Sequence, residues 1–122
     1  LRQHDPDFLP DGRISVYNNN TGRDRSEIVI IDPATRAVAS PLHDGPVRFY
    51  SGAMGKHQTL PGGDVLVVVP EEGRVVVASP TGERVWEFNN LAPDLDGVHA
   101  HVCNALWLPP DHFADVPGCA RQ

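Results

Sequence analysis

The sequence predicts an all-β fold, a β-propeller fragment of two four-stranded antiparallel blades followed by the first strand of a third. Three observations point there. A Leu-Pro turn recurs at Leu9-Pro10, Leu60-Pro61 and Leu108-Pro109, with its prolines 51 and 48 residues apart. Twelve prolines and eleven glycines in 122 residues punctuate the chain into short elements. No stretch sustains a 3.6-residue apolar period, so little helix is expected. A repeat of about 40 to 50 residues with four strands per unit is the pattern of propeller blades. A small β-sandwich with similar hairpins is the rival, and it does not account for the shared turn or the matched strand order.

The first blade is expected over about residues 3–40. Phe8-Leu9 enters the Pro10-Asp11-Gly12 turn, where Asp-Gly supplies the positive φ of a tight reversal. Arg13 to Asn18 leaves it with alternating Ile14, Val16 and Asn18. Asn18-Asn19-Asn20-Thr21-Gly22 is a polar loop of residues that tolerate left-handed backbone. Ile28 to Ile31 makes a β-branched strand, and Arg36 to Ser40 a weaker outer one after the Asp32-Pro33 turn. Pro41 to Gly45 is a loop, and Val47 to Tyr50 reads as either a short extra strand or a connector.

The second blade is expected over about residues 56–90, with strands at Gln58-Leu60, Val65-Val69, Arg74-Ala78 and Glu83-Phe88. The unbroken Val65–Val69 run does not alternate, which suits a strand buried on both faces between packed sheets. An incomplete third blade is expected over about residues 102–113. Two blades and one strand leave sheet faces uncovered, so the 1–122 chain is expected to need further blades of a longer protein or self-association.

Bulk properties exclude some functions. A formal charge of −6 argues against a nucleic-acid binder, which would need a basic face. No apolar run approaches the ~20 residues of a membrane-spanning helix. The chain starts at Leu1 without a signal-peptide pattern, so it reads as a processed piece or a fragment. Cys103 and Cys119 make no metal framework and are compatible with one disulfide or two thiols. His99 and His101 would share one side of an extended segment, but further metal ligands are not evident nearby. Asp94 and Asp96 lack the loop pattern of a calcium site. Trp86 and Trp107 are expected to pack between blades or cover a rim.

Several stretches together resemble the bacterial arylsulfotransferase-type propellers. They are Gln3-His4-Asp5 with Phe8-Leu9-Pro10-Asp11-Gly12, Val16-Tyr17-Asn18-Asn19-Asn20, Phe49-Tyr50-Ser51, His57 to Val69, Gly73-Arg74-Val75 and Gly82 to Asn90. Asn104 to Phe113 looks like the end of the same domain. The resemblance implies the C-terminal part of a six-bladed propeller in the periplasm or outside the cell. It also implies transfer of a sulfuryl group from an aryl sulfate to a phenol through a sulfohistidine, with no nucleotide sulfate donor and no cofactor.

Neutral imidazole suits that chemistry. Its lone pair attacks sulfur, the N–S bond is labile, and a pKa near 6.5 keeps the ring largely neutral at pH 7. His57 opens the inner strand of the second blade, and the resemblance implies that it is the nucleophile, the alternative being a channel-lining or surface residue without chemistry. His4 opens the matching strand of the first and resembles the family's substrate-binding histidine, unless Asp5 merely pairs with it. Arg23, after the Asn-rich loop, is the expected sulfate clamp, since a guanidinium fork matches oxyanion geometry. Arg25 is a second choice two residues on. Arg48 and Lys56 would add positive potential near His57. A propeller that only binds a ligand or protein through its channel mouth is the competing function.

Overall fold

The computed structural model describes residues 2–20, 23–92 and 97–113. Two four-stranded antiparallel sheets account for all the strands among them. The first contains β1 (Gln3–Phe8), β2 (Ile14–Asn18), β3 (Glu27–Ile31) and β4 (Val38–Ala39), paired in chain order. The second contains β5 (Lys56–Thr59), β6 (Val65–Val69), β7 (Arg74–Ala78) and β8 (Arg84–Asn89), again in chain order. Apart from one 3-10 turn at Pro70–Glu72, the described residues form no helix. No helix among them is long and apolar enough to cross a membrane.

Each unit is a meander because its turns close locally. Gly12 N–H donates to Leu9 O and Gly63 N–H to Leu60 O, so the two Leu-Pro turns are built alike. The sheets pack face to face. Tyr17 and Ile28 from the first meet Val65, Val67, Val69, Val76 and Ala78 from the second. On its opposite face the second sheet presents Leu66, Val68 and Val75. β6 is therefore buried on both sides along its whole length, which is why its valines do not alternate. Each fully buried valine contributes about 1.5 to 3 kcal/mol relative to an exposed one.

The segment between the sheets is a connector, not a strand. Leu42, Val47 and Phe49 enter the core between the sheets. Its backbone is tied at both ends, since Ser26 N–H donates to Phe49 O and Val47 N–H to Gly82 O. The connector thus wedges the two units together.

Residues 102–113, expected as the first strand of a third blade, form no strand among the described residues. An inner strand takes its definition from a ladder partner, and among the described residues no further strand supplies one. The segment lies over the free face of the second sheet instead, where Val102, Ala105 and Trp107 cover Leu66, Val68 and Val75. Gln58 holds it there. Its Oε1 accepts from Trp107 N–H at 2.9 Å, and its Nε2 donates to Trp107 O at 3.3 Å. Trp107 so fulfils a covering role, whereas Trp86 is half exposed and stacks on Phe88 at 6.5 Å. Cys103 is exposed; Cys119, Asp94 and Asp96 lie outside the described residues.

Candidate active site at the inner strands

The two inner strands, β1 and β5, come together at the joint between the sheets. A bulge in β1 shapes this joint. The register against β2 slips between His4 and Asp7, and Asp5 adopts a left-handed backbone with φ 52°. Pro6 follows, and a proline without an N–H is tolerated because β1 is an edge strand. The bulge turns the Asp5 carboxylate away from His4 and toward β5. Its Oδ2 accepts from the His57 main-chain N–H at 2.8 Å, and its Oδ1 lies 3.2 Å from Lys56 Nζ. The alternative Asp5–His4 pair does not form, and Asp5 ties the two sheets instead.

His57 points into that joint. Its cross-strand partner is Val67, whose side chain faces the first sheet, and the imidazole follows it. Nε2 sits 2.8 Å from Ser15 Oγ. Nδ1 lies 3.3 Å from Asp5 Oδ2, without the alignment of a hydrogen bond, so the carboxylate acts on it mainly through charge. The His57 side chain is 0% exposed. Burial holds its pKa below the ordinary histidine value, and the opposing pull of Asp5 and Asp7 does not reverse this. For Asp5, burial pushes upward, but the His57 amide and the Lys56 ammonium together bring the carboxyl below its usual range.

These two shifts have one sign for stability. A depressed pKa in the folded state means that the unfolded chain binds protons first, so acid favours unfolding. Stability should hold above about pH 6.5, fall as His57 must be charged, and fall further below about pH 4 as Asp5 protonates. Urea midpoints measured from about pH 8 down to about pH 2 test this. His57→Gln should flatten the upper part of the decline and leave the lower part, and an unchanged profile would refute the assignment.

His4 is placed differently. It pairs with Tyr17 across β1 and β2, is half-buried, and stacks its ring on Tyr17 at 5.1 Å with 20° between planes. Nε2 lies 2.9 Å from Met54 O. A carbonyl only accepts, so Nε2 carries the hydrogen, and in the neutral form of the ring it is Nδ1 that has the lone pair. The Met54 carbonyl is itself held, because Asn19 Nδ2 donates to it at 2.7 Å and to Ser51 O at 2.8 Å. Asn19 is wholly buried, and Ser26 Oγ supports the same turn by accepting from Ser51 N–H at 3.0 Å.

The arginines separate. Arg23 lies beyond the Asn-rich loop that leaves β2 next to His4, its guanidinium is exposed, and its main-chain N–H donates to Asn20 O. Arg25 is engaged elsewhere, donating from Nη2 to Leu42 O at 2.8 Å and thereby pinning the connector. Lys56 stands at the joint through Asp5. Arg48 does not join it; with Arg74, Arg84, Glu83 and Glu87 it lines an open cavity of about 430 Å³ in which the charges of the two signs are mixed. His99 and His101 are exposed, and among the described residues no three His, Cys, Asp or Glu side chains are gathered to hold a metal.

The inner-strand joint therefore brings His4, Asp5, Lys56 and His57 together, with one imidazole open and one enclosed. Asn19, Ser15 and the Met54 carbonyl were not singled out from the sequence. Only the run of three asparagines hinted at a special loop; all three are buried, and nothing in the run distinguished Asn19, which alone of them reaches the Ser51 and Met54 carbonyls.

A family model described as arylsulfotransferase (ASST) matches residues 1–91, which covers both sheets and stops short of Asn104–Phe113. No curated protein and no solved structure matches the chain.

Proposed function

Since the chain belongs to the arylsulfotransferase (ASST) family, we propose that it takes part in moving a sulfuryl group from an aryl sulfate to a phenol, with an inner-strand imidazole as the carrier. The observation that supports this reading most is the state of His4. Its ring is half-buried, one nitrogen is committed to the Met54 carbonyl, and the other is left with its lone pair.

His57, the nucleophile expected from the family resemblance and its place at the head of the strand, is favoured less. Its side chain is already fully enclosed by two sheets, and further blades would only remove more surface. We assign it to the joint, with Asp5 and Ser15, and assign the carrier role to His4. Arg23 supplies the exposed fork that would clamp the sulfate oxygens. An exported location, periplasmic or extracellular, fits the same reading.

Turnover of an aryl sulfate by the intact protein, with a phenol as acceptor, tests it. Arg23→Gln should lower kcat/KM roughly 10²-fold, the effect of losing one oxyanion donor. A protein that binds aryl sulfate with ordinary affinity but releases no phenol would instead be a binding propeller.

A further inference from the structure

Taking His4 as the carrier, we infer that Asn19 is a positioning residue, which through the Met54 carbonyl fixes the His4 tautomer and makes Nδ1 the nitrogen that takes the sulfuryl group. The inference rests on the function proposed above but on separate observations. Asn19 lies at the end of β2, wholly buried, and spends both amide hydrogens on the carbonyls of Ser51 and Met54. Its Oδ1 is buried without a partner. Leaving an acceptor unpaired costs free energy, so the amide is oriented by its two donations alone.

Met54 adopts a left-handed backbone with φ 60°, and this conformation directs its carbonyl to the place where Asn19 and His4 converge. The same oxygen accepts 2.9 Å from His4 Nε2. The stacking of His4 on buried Tyr17 fixes the plane of the ring, and the carbonyl fixes which way round its hydrogen lies.

The arrangement has a chemical consequence. The Nδ1 lone pair attacks the sulfur of the aryl sulfate; the N–S bond forms as the S–O bond to the aryl oxygen breaks. The phenolate leaves with the bonding pair and takes a proton from solvent. The ring, with sulfur on Nδ1 and hydrogen on Nε2, is then an imidazolium. The negative end of the Met54 carbonyl faces the Nε2–H where that charge is carried. Attack by the acceptor phenol, its proton passing to solvent, forms the new S–O bond and returns the pair to Nδ1. No oxidant or reductant is required.

The tautomer is read directly by two-bond 1H–15N correlation on the 15N-labelled protein at pH 8, independently of turnover. The Nε2–H form of His4 is expected, and a dominant Nδ1–H form overturns the inference while leaving the proposed transfer standing. Asn19→Ala should shift the tautomer ratio about fivefold toward Nδ1–H, the worth of one ordinary hydrogen bond, and lower kcat more than it raises KM. Ser26→Ala, which loosens the same buried turn without touching the Met54 carbonyl, should leave the ratio unmoved. If Asn19→Ala does not fold, Asn19→Ser, too short to reach both carbonyls, is read in the same way. A ratio that is unchanged in a folded Asn19 variant, or that moves as much in Ser26→Ala, refutes the positioning role.

Discussion

Gly55→Ala is expected to remove a large share of the stability of the two-sheet unit. Gly55 has φ 116°, and a Cβ there would lie 2.5 Å from Tyr17 Cζ and 2.7 Å from both Cε atoms. Tyr17 has no room to retreat, since it is fully buried, stacked on His4 and set edge-on to Phe49 at 5.8 Å. Backbone strain of about 1 to 3 kcal/mol adds to an overpacking cost of about 1 to 3 kcal/mol. The sum, roughly 4 kcal/mol, is a large share of the 5 to 15 kcal/mol that holds an ordinary domain together. Gly62 is the control: its φ of 94° is similarly unfavourable, but nothing lies within 4 Å of its Cβ position. Urea midpoints should fall far more for Gly55→Ala than for Gly62→Ala. Equal losses would show that strain alone acts and that the close approach to Tyr17 is unimportant.

His4→Ala should all but abolish aryl sulfate turnover, with a loss of roughly 10⁴-fold or more, as when an essential nucleophile is removed. Folding should be affected little, because His4 is half-buried on an edge strand. His57→Ala should do the opposite. It removes an enclosed ring between Asp5 and Ser15, leaves a cavity, and lowers the urea midpoint, while the folded fraction keeps turnover within about tenfold of wild type. Measuring midpoint and kcat on both variants separates the roles. Loss of turnover on His57→Ala at unchanged stability, with His4→Ala active, would restore the role to the residue that strand position suggests.

Much of the fold is legible in the chain because its signals are local. The repeated Leu-Pro turn sets the two units, and the unbroken valines of β6 announce a strand covered on both faces. The connector was harder to read. Leu42, Val47 and Phe49 have no period of either kind, and their place in the core is decided by the gap between the sheets. Residues 102–113 carry the same turn signal as the two inner hairpins but form no strand, since pairing depends on a neighbour and not on propensity.

The candidate site was legible in its histidines and in Lys56, but not in how Asp5 joins them. Asp5 stands beside His4 in the chain, yet its left-handed backbone carries its carboxylate to Lys56 and His57, more than fifty residues away. Asn19 is one of three buried asparagines, and only its partners, the Ser51 and Met54 carbonyls more than thirty residues on, set it apart.

The most direct test is where the sulfuryl group goes. The intact protein is mixed with an aryl sulfate in the absence of acceptor, quenched in base, digested, and mapped by mass spectrometry. The label is predicted on the peptide carrying His4, in an amount equal to the phenol released in the first turnover. Label on the peptide carrying His57, or phenol release with no labelled histidine, would contradict the account.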